Sequence, residues 1–325
     1  MGIHSIRRFG TDSELPRSTK RFFHYTSPEG LFAILQSRSL RFTDYRFLND
    51  KSEFTYLYDM LRELLDSLAL DQGPVGDFVR LLLTLARNNY TSEAMVIPPL
   101  TRESLGGLLE NHNDRYYVFC ASTDSDALPL WNYYVKNGHY EGYNLGFTVH
   151  RLMGCFENLS ASLQWSDVFY GPVLYDAKKQ RDELTRIIKA AAEIYREDKT
   201  DRALTAFVDD VNLTRMFCKN PIFSSECEYR IVVKAFQPES PAKTEPAPAE
   251  KNQLDPIRRG FTIKSSAFAP HLDIPFGPEI WPNSIAISPV LDYDFTKMGL
   301  REYLEYLQYP LKEIAIQQSH VPIRY

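Results

Sequence analysis

The spacing of apolar residues predicts a chain that contains both helices and strands. Residues 54–68 and 78–85 carry leucines and aromatics at intervals of three and four, which is typical of helices with one buried face. Ser27 and Pro28 have the residue types of an N-cap and a first helical position, so a helix is predicted to begin there. Further helices are predicted at residues 177–197, 201–218 and 295–307.

Strands are predicted where short apolar runs alternate with polar residues. In the run at residues 226–236, Tyr229 and Ile231 fall on one face, and Glu228 and Arg230 fall on the other. The other predicted strands or extended segments lie at residues 21–26, 40–44, 116–122, 142–149, 261–276, 285–289 and 311–318.

The predicted strands are spread over most of the chain, and they can meet only if the chain folds as one unit. We therefore expect an N-terminal tail at residues 1–20 and a single mixed α/β domain at residues 21–325. The segment 237–253 is rich in Pro, Ala, Glu and Lys and has no aromatic residue, so it is predicted to be a flexible loop.

Composition and charge restrict the kind of partner. The 325 residues include 37 basic and 42 acidic ones, and a net charge of −5 provides no general attraction to nucleic acid or to an anionic membrane. No membrane partner is expected, because no stretch approaches the roughly 18 apolar residues of a membrane-spanning helix, and the expected localisation is cytoplasmic.

The four cysteines are far apart in the sequence, at Cys120, Cys155, Cys218 and Cys227. This spacing favours reduced thiols over disulfides or a zinc site, and no metal site is expected.

Two short motifs carry the candidate chemistry. His24, Tyr25 and Thr26 end one predicted strand, and Glu226 and Glu228 open another. An imidazole and a hydroxyl can hold the edges of a ribose or a carboxamide, and a carboxylate can bind a ribose 2′-OH and stabilise a sugar cation. These residue types suit a site that cleaves nicotinamide from NAD.

Other residues complete this candidate site. Trp131 or Tyr134 could stack on the nicotinamide ring, which leaves as a neutral group and needs no general acid. Arg41, or else Arg46 or the helix N-terminus after Asn49-Asp50, could bind the pyrophosphate.

Each of these residues also has a structural interpretation. His24 could bond a backbone carbonyl at a strand end, and Trp131 and Tyr134 could belong to the core. Glu226, Glu228 and Arg230 could form an ion-pair ladder at the surface. Asn49, Asp50 and Glu53 could cap a helix.

The chain resembles known families at these motifs. It is similar to a bacterial family catalogued as domain of unknown function 2971, and the order His, aromatic, Glu resembles the signature of ADP-ribosyltransferases of the diphtheria-toxin and poly-ADP-ribose polymerase type. The motifs are His24-Tyr25-Thr26, Phe47-Leu48-Asn49-Asp50 with Glu53, Trp131 with Tyr134, Gly146-Phe147, Glu226-Cys227-Glu228-Tyr229-Arg230 and Ser319-His320-Val321-Pro322-Ile323-Arg324.

The second resemblance implies a fold and a set of roles. The fold is α+β, an ADP-ribosyltransferase-like split antiparallel sheet with helical insertions at residues 51–90 and 177–218. Glu228 would be the catalytic carboxylate, with Glu226 giving the Glu-x-Glu form, and His24 and Thr26 would bind NAD with an aromatic at Trp131 or Tyr134. Two features depart from the pattern: Tyr25 stands where glycine is commoner, and the aromatic lies in a predicted short helix.

The sequence thus predicts an NAD-dependent ADP-ribosyltransferase or NAD glycohydrolase, acting as a bacterial toxin or anti-phage effector. NAD is the expected substrate, and the acceptor is left open between protein, nucleic acid and water, with a regulatory partner protein also considered. One alternative is a metal-dependent nuclease using Asp44, Asp50, Glu53 and Glu228, although no compact acidic cluster with a lysine supports it. The other alternative is a non-catalytic module that binds a nucleotide.

Overall fold

A computed structural model describes residues 5–9, 21–48, 53–88, 101–109, 114–135, 140–157, 165–236, 257–264 and 266–322. The chain divides into two compact units. The first, here called the sheet unit, comprises Met1–Phe47, Asn113–Pro172 and Ser225–Tyr325, and the second, the helical unit, comprises Leu48–His112 and Val173–Ser224. The single domain predicted for residues 21–325 stays a prediction, as does the flexible loop at 237–253, which lies outside the described residues.

The described strands all belong to the sheet unit and form one mixed sheet. They are β1 (Ser5–Arg8), β2 (Arg21–Thr26), β3 (Ser39–Asp44), β4 (Asp114–Ser122), β5 (Tyr143–Thr148), β6 (Trp165–Pro172), β7 (Glu228–Phe236), β8 (Arg258–Lys264), β9 (Ala267–Pro275), β10 (Ser284–Ile287) and β11 (Ala315–Gln318). The order is β1-β6-β7-β4-β2-β5-β10-β11, and a branch from β4 runs through β3 and β9 to β8. The α+β class is confirmed, but the sheet is mixed rather than antiparallel, since β1–β6 and β10–β11 are parallel pairs.

The sheet forks at β4. One edge of β4 pairs with β7 over the whole strand, from Asp114 to Ser122. The other edge pairs with β3 at Tyr117 and Val118 and with β2 at Ser122 alone. Between these two partners, residues 119–121 have no described strand beside them on this edge, and the sheet opens there.

Aromatic side chains form the main core on one face of this sheet. The Phe22 ring lies 5.9 Å from both the Phe119 and the Tyr229 rings, and it stacks on Phe147 at 5.7 Å. The helices α1 (Pro28–Ser37), α6 (Val149–Glu157) and α9 (Tyr293–Tyr306) add buried apolar residues to the same core. As the sequence predicted, Ser27 caps α1 by accepting a hydrogen bond from the Gly30 N–H at 3.1 Å, and Pro28 is its first residue.

The helical unit has an apolar core of its own. It contains α2 (Glu53–Leu68), α3 (Pro74–Asn88), α4 (Arg102–Leu109), α7 (Ala177–Arg196) and α8 (Thr200–Met216). Leu57, Leu61 and Leu65 of α2 are buried at the predicted helical spacing, together with Phe78 of α3. The periodicity therefore located α2 and α3 correctly. Within the residues that the structure describes, no helix is long and apolar enough to cross a membrane.

Some elements did not emerge from the sequence. β6, α4 and α6 were not predicted, and α5 (Leu128–Tyr133), which was predicted as a short helix, is six residues long. Ser5–Arg8, within the predicted N-terminal tail, forms β1 and pairs with β6 from Asp167 to Tyr170. All four cysteines are free, in agreement with the interpretation as reduced thiols.

Candidate functional site

His24 lies at the opening of the fork. Its Nδ1 donates a hydrogen bond to the carbonyl of Cys120 at 3.0 Å, and its ring is 4.7 Å from that of Phe119. Burial lowers the pKa of His24 from 6.5 to about 4, against a smaller opposing effect of the Cys120 carbonyl. The imidazole is therefore neutral at pH 7, and since Nδ1 carries the proton, Nε2 is a hydrogen-bond acceptor.

The structural interpretation of His24 is thus confirmed: it does bond a backbone carbonyl. Cys120 lies between the positions of β4 that pair with β3 and with β2 in the described residues, and the imidazole bonds its carbonyl there. This contact also fixes the tautomer of the ring. A fixed, neutral acceptor is compatible with binding a hydroxyl group.

Strand alternation separates His24 from Glu228. Phe22 and His24 point to the same face of β2, and Phe22 stacks on Tyr229 of β7. Glu228 precedes Tyr229 and so points to the opposite face. The two candidate residues therefore do not share a face of the sheet, because a one-residue difference in a strand reverses the face.

Thr26 shares the face of His24 and is buried beside α1. A Cβ atom added at Gly30 would lie 2.0 Å from Thr26 Oγ1, so Gly30 allows the close approach of the two segments. Thr26 is 8% exposed. Its hydroxyl is oriented toward the start of α1, and its predicted contact with NAD stays a prediction.

Tyr25 and Trp131 form a buried aromatic pair on the other face. Their rings meet edge to face at 5.0 Å, and Trp131 is completely buried. The Tyr25 hydroxyl donates to the Asp124 carbonyl at 3.1 Å and accepts from the Ala127 N–H at 2.9 Å, and burial raises the pKa of Tyr25 well above 10. Both residues hold the loop between β4 and α5, and Trp131 is a core residue rather than an open stacking surface.

Tyr134 and Glu226 bring the two distant motifs together. The Tyr134 hydroxyl donates to Glu226 Oε1 at 3.1 Å, although the residues are 92 positions apart. Ser122, at the end of β4, donates from Oγ to the Glu226 carbonyl at 2.7 Å. The Thr123 N–H donates to the Cys227 carbonyl at 2.8 Å. The end of β4 is thereby bonded to the Glu-x-Glu motif.

The sequence predicted that both glutamates of the Glu-x-Glu motif lie in one strand, and this is wrong for Glu226. A 3₁₀ turn spans Pro221–Glu226, Cys227 has a left-handed backbone with φ of 45°, and β7 begins only at Glu228. The backbone thus turns between the two glutamates. This turn directs the partly buried Glu226 carboxylate toward Tyr134.

Glu228 forms an ion pair with Arg230, two residues further along the same face. Arg230 Nε donates to Glu228 Oε1 and a second guanidinium nitrogen donates to Oε2, both at 2.9 Å. The two side chains are 6% and 2% exposed, so the ladder predicted at the surface is a buried pair instead. In the pairing of β7 with β4, Ser122 lies opposite Glu228.

Arg41 lies apart from this network. It is on β3, in the branch toward β8, and its guanidinium makes two hydrogen bonds to the carboxylate of Asp273 at 2.8 and 3.1 Å. The side chain is half exposed. No contact joins it to the described residues around Glu226, and its predicted role in cofactor binding stays a prediction.

Three polar residues of the site were missed by sequence reasoning: Ser122, Asp126 and Asn144. Asn144 donates from Nδ2 to the Ser125 carbonyl at 2.7 Å, while its buried Oδ1 has no hydrogen-bond partner among the described residues. The signal that could have found Asp126 is the polar loop at residues 123–126, which ends an apolar strand directly before the aromatic helix.

A metal site would need at least three His, Cys, Asp or Glu side chains close together. Among the described residues, no such group is present. Asp44, one proposed ligand of the nuclease alternative, bonds through both carboxylate oxygens to Arg46 at 2.9 and 2.6 Å. Asp50 lies outside the described residues.

One family model matches part of the chain. Residues 130–231 match the model of a family described as Protein of unknown function (DUF2971). The match covers about a third of the chain and includes Tyr134, Glu226, Glu228 and Arg230. It supports the resemblance to that family over this segment. No curated protein and no solved structure matches the chain.

Proposed function

We propose that this protein cleaves NAD and transfers the ADP-ribose to an acceptor or to water, at the fork of the sheet beside β4. The observation that carries the proposal is the hydrogen bond from Tyr134 to Glu226, together with the bond from Ser122 to the same residue. These contacts join an aromatic residue, a hydroxyl and the Glu-x-Glu motif, which come from segments about a hundred residues apart. Such convergence of a few polar groups beside an aromatic ring is typical of a ligand site.

The proposed chemistry places a negative charge where positive charge develops. Loss of nicotinamide leaves an oxocarbenium-like ribose, and a fixed carboxylate stabilises that transition state more than the ground state. Glu228 is assigned this role because Arg230 holds its carboxylate in one orientation, and preorganisation of this kind is what electrostatic stabilisation requires. Glu226, beside Tyr134, is assigned to the ribose and nicotinamide end of the substrate.

His24 is assigned to binding. A neutral imidazole with its proton held by the Cys120 carbonyl offers Nε2 as an acceptor for a ribose hydroxyl. His24 and Glu228 project from opposite faces of the sheet, so a ligand would have to lie across the open edge of β4 to contact both. This requirement makes the fork, rather than either face, the proposed binding position.

The nuclease and the non-catalytic module are distinguished from the proposed function by whether the protein consumes NAD. Nothing observed around Asp44 favours the nuclease, whereas a nucleotide-binding module without activity would use the same residues. In both cases the proposed network around Glu226 would be retained, but NAD would not be consumed.

The experiment is release of nicotinamide from NAD by the purified protein, measured by chromatography with mass detection. Protein extract, RNA and DNA are supplied in separate reactions, in case water is a poor acceptor. The Glu228→Gln and His24→Ala variants are included, and His24→Ala is expected to weaken both NAD binding and turnover. Binding of NAD without any release would favour the non-catalytic module, and absence of NAD binding would refute the proposal.

A further inference from the structure

The carboxylate of Asp126 connects three segments of the sheet unit. Oδ1 accepts hydrogen bonds from Trp131 Nε1 at 2.8 Å and from Ser319 Oγ at 2.5 Å, and Oδ2 accepts from the His320 N–H at 2.7 Å. Ser319 and His320 directly follow β11 and lie more than 190 positions from Asp126 in the sequence. Hydrogen bonds to an ionised acceptor are about twice as strong as those between neutral groups.

The segment 319–322 is itself held in place. The Ser319 N–H donates to the Ile287 carbonyl at 2.8 Å, which continues the pairing of β11 with β10. The Val321 N–H donates to Ser319 Oγ at 3.2 Å, and the Val321 side chain packs on the aromatic cluster of Tyr25 and Trp131. Asp126 therefore joins the loop before α5 to a segment that the sheet already fixes.

This anchor sets the orientation of α5. Trp131 lies in that helix, and its indole N–H is bonded to Asp126. Tyr134 directly follows the helix as its C-cap, and its N–H donates to the Leu130 carbonyl at 3.0 Å. A rotation of α5 that broke the bond from Trp131 would also move the Tyr134 hydroxyl away from Glu226.

We propose that Asp126 is a positioning residue, which together with the segment 319–322 holds Tyr134 against Glu226. The inference rests on the proposed function, since Tyr134 is the aromatic residue assigned to the nicotinamide. Asp126 does not touch the reacting atoms. It acts through the bond to Trp131 and through the loop that the same carboxylate ties to residues 319 and 320.

The kinetic test uses Asp126→Asn and Ser319→Ala. An asparagine presents an amide N–H group to one of the three donors, and Ser319→Ala removes a donor while leaving Asp126 intact. Because Tyr134 binds the ring in both the ground and the transition state, KM for NAD should rise about tenfold in Asp126→Asn, and less in Ser319→Ala, with kcat within about twofold of wild type. A purely structural loss would lower the amount of active protein and leave KM unchanged.

The matched control is Asp292→Asn. Asp292 caps α9 by accepting a hydrogen bond from the Phe295 N–H at 2.9 Å, so it is an aspartate with a similar structural task away from α5. It should leave KM for NAD at the wild-type value. An equal rise of KM in Asp292→Asn, or no rise in Asp126→Asn, would overturn the inference.

A second measurement does not depend on the reaction. Hydrogen exchange of the backbone amides at residues 123–134 should be faster in Asp126→Asn and in Ser319→Ala than in wild type, and unchanged in Asp292→Asn. If wild type releases no nicotinamide, the proposed function fails, while faster exchange would still show that Asp126 anchors α5. Exchange unchanged in both variants would show that the three hydrogen bonds do not hold this segment.

Discussion

Glu228 and Arg230 form a two-fold hydrogen-bonded ion pair on β7 that is almost completely buried. Removal of one member of such a pair typically costs about 3–5 kcal/mol, because the other charge is left buried and uncompensated, whereas replacement of both can be nearly neutral. The residue assigned the catalytic charge is therefore also important for stability. Any loss of activity in a Glu228 variant has to be separated from a loss of folded protein.

Glu228→Gln is expected to reduce nicotinamide release by about two to three orders of magnitude, because it removes the charge that stabilises the oxocarbenium-like ribose. Affinity for NAD should change little. The same variant should be less stable in urea unfolding, since the buried guanidinium of Arg230 keeps its charge but loses the carboxylate of Glu228. Turnover is therefore normalised to the folded fraction measured by circular dichroism.

The double variant Glu228→Gln/Arg230→Met separates the two effects. It should recover most of the lost stability but none of the lost turnover. Glu183→Gln provides a control, since Glu183 makes a similar two-fold pair with the exposed Arg186 and should cost less than about 1 kcal/mol. Turnover that returns in the double variant would remove Glu228 from the mechanism.

The hydrogen bond between Tyr134 and Glu226 can be tested by a double-mutant cycle. Tyr134→Phe keeps the ring and removes the hydroxyl, and Glu226→Gln removes the charged acceptor. We expect a coupling energy of about 1 kcal/mol in urea unfolding, because the two groups interact directly. In the paired control, Tyr303→Phe removes a hydroxyl that bonds the Phe32 carbonyl at 3.2 Å, and its effect should add independently to that of Glu226→Gln. Additivity in both cycles would mean that the Tyr134 contact contributes nothing in solution.

Gly146 is required by a close approach between strands. A Cβ atom at this position of β5 would lie 2.4 Å from Ser284 Oγ and 3.0 Å from the Phe23 ring. Gly146→Ala should therefore lower the free energy of unfolding by about 1–3 kcal/mol, as measured in urea.

The control for this substitution is Gly299→Ala in α9, where an added Cβ atom would meet nothing within 4 Å. That variant should be neutral or more stable by up to about 1 kcal/mol, since alanine favours a helix. Loss of stability in Gly299→Ala equal to that in Gly146→Ala would show that steric contact is not the cause.

The sequence predicted where strands and helices lie better than it predicted what packs against them. The alternation at residues 226–236 correctly placed Tyr229 and Ile231 on the core face and Glu228 and Arg230 on the other. The alternative of an ion-pair ladder at the surface was wrong about the surroundings, because local alternation says which residues share a face but not what covers that face. The same limit applies to Trp131, whose burial results from packing on Tyr25.

The candidate site was only partly predictable for a related reason. The contact between Tyr134 and Glu226 joins residues that the sequence had singled out separately, and their proximity depends on the pairing of β4 with β7. Asp126 was missed as a positioning residue because two of its three donors follow β11, far away in the sequence. The left-handed backbone of Cys227 was also not predictable, since a cysteine rarely adopts it.

The low pKa of His24 predicts a pH-dependent contribution to stability. The folded state holds the imidazole neutral down to a pKa of about 4, because burial disfavours its charged form, whereas the unfolded chain takes up a proton near pH 6.5. Between these values the unfolded state binds more protons. The free energy of unfolding should therefore fall as the pH is lowered from 6.5 to 4, by up to about 3 kcal/mol from this residue.

His24→Asn tests this contribution. The asparagine Nδ2 can donate to the Cys120 carbonyl in place of the imidazole Nδ1, but the side chain does not titrate in this range. In urea unfolding at a series of pH values, the variant should be somewhat less stable than wild type at pH 7, because it loses the packing of the ring on Phe119. Its stability should then decline less steeply below pH 6.5. Equal slopes in wild type and His24→Asn would mean that the imidazole is not held neutral at the fork of the sheet.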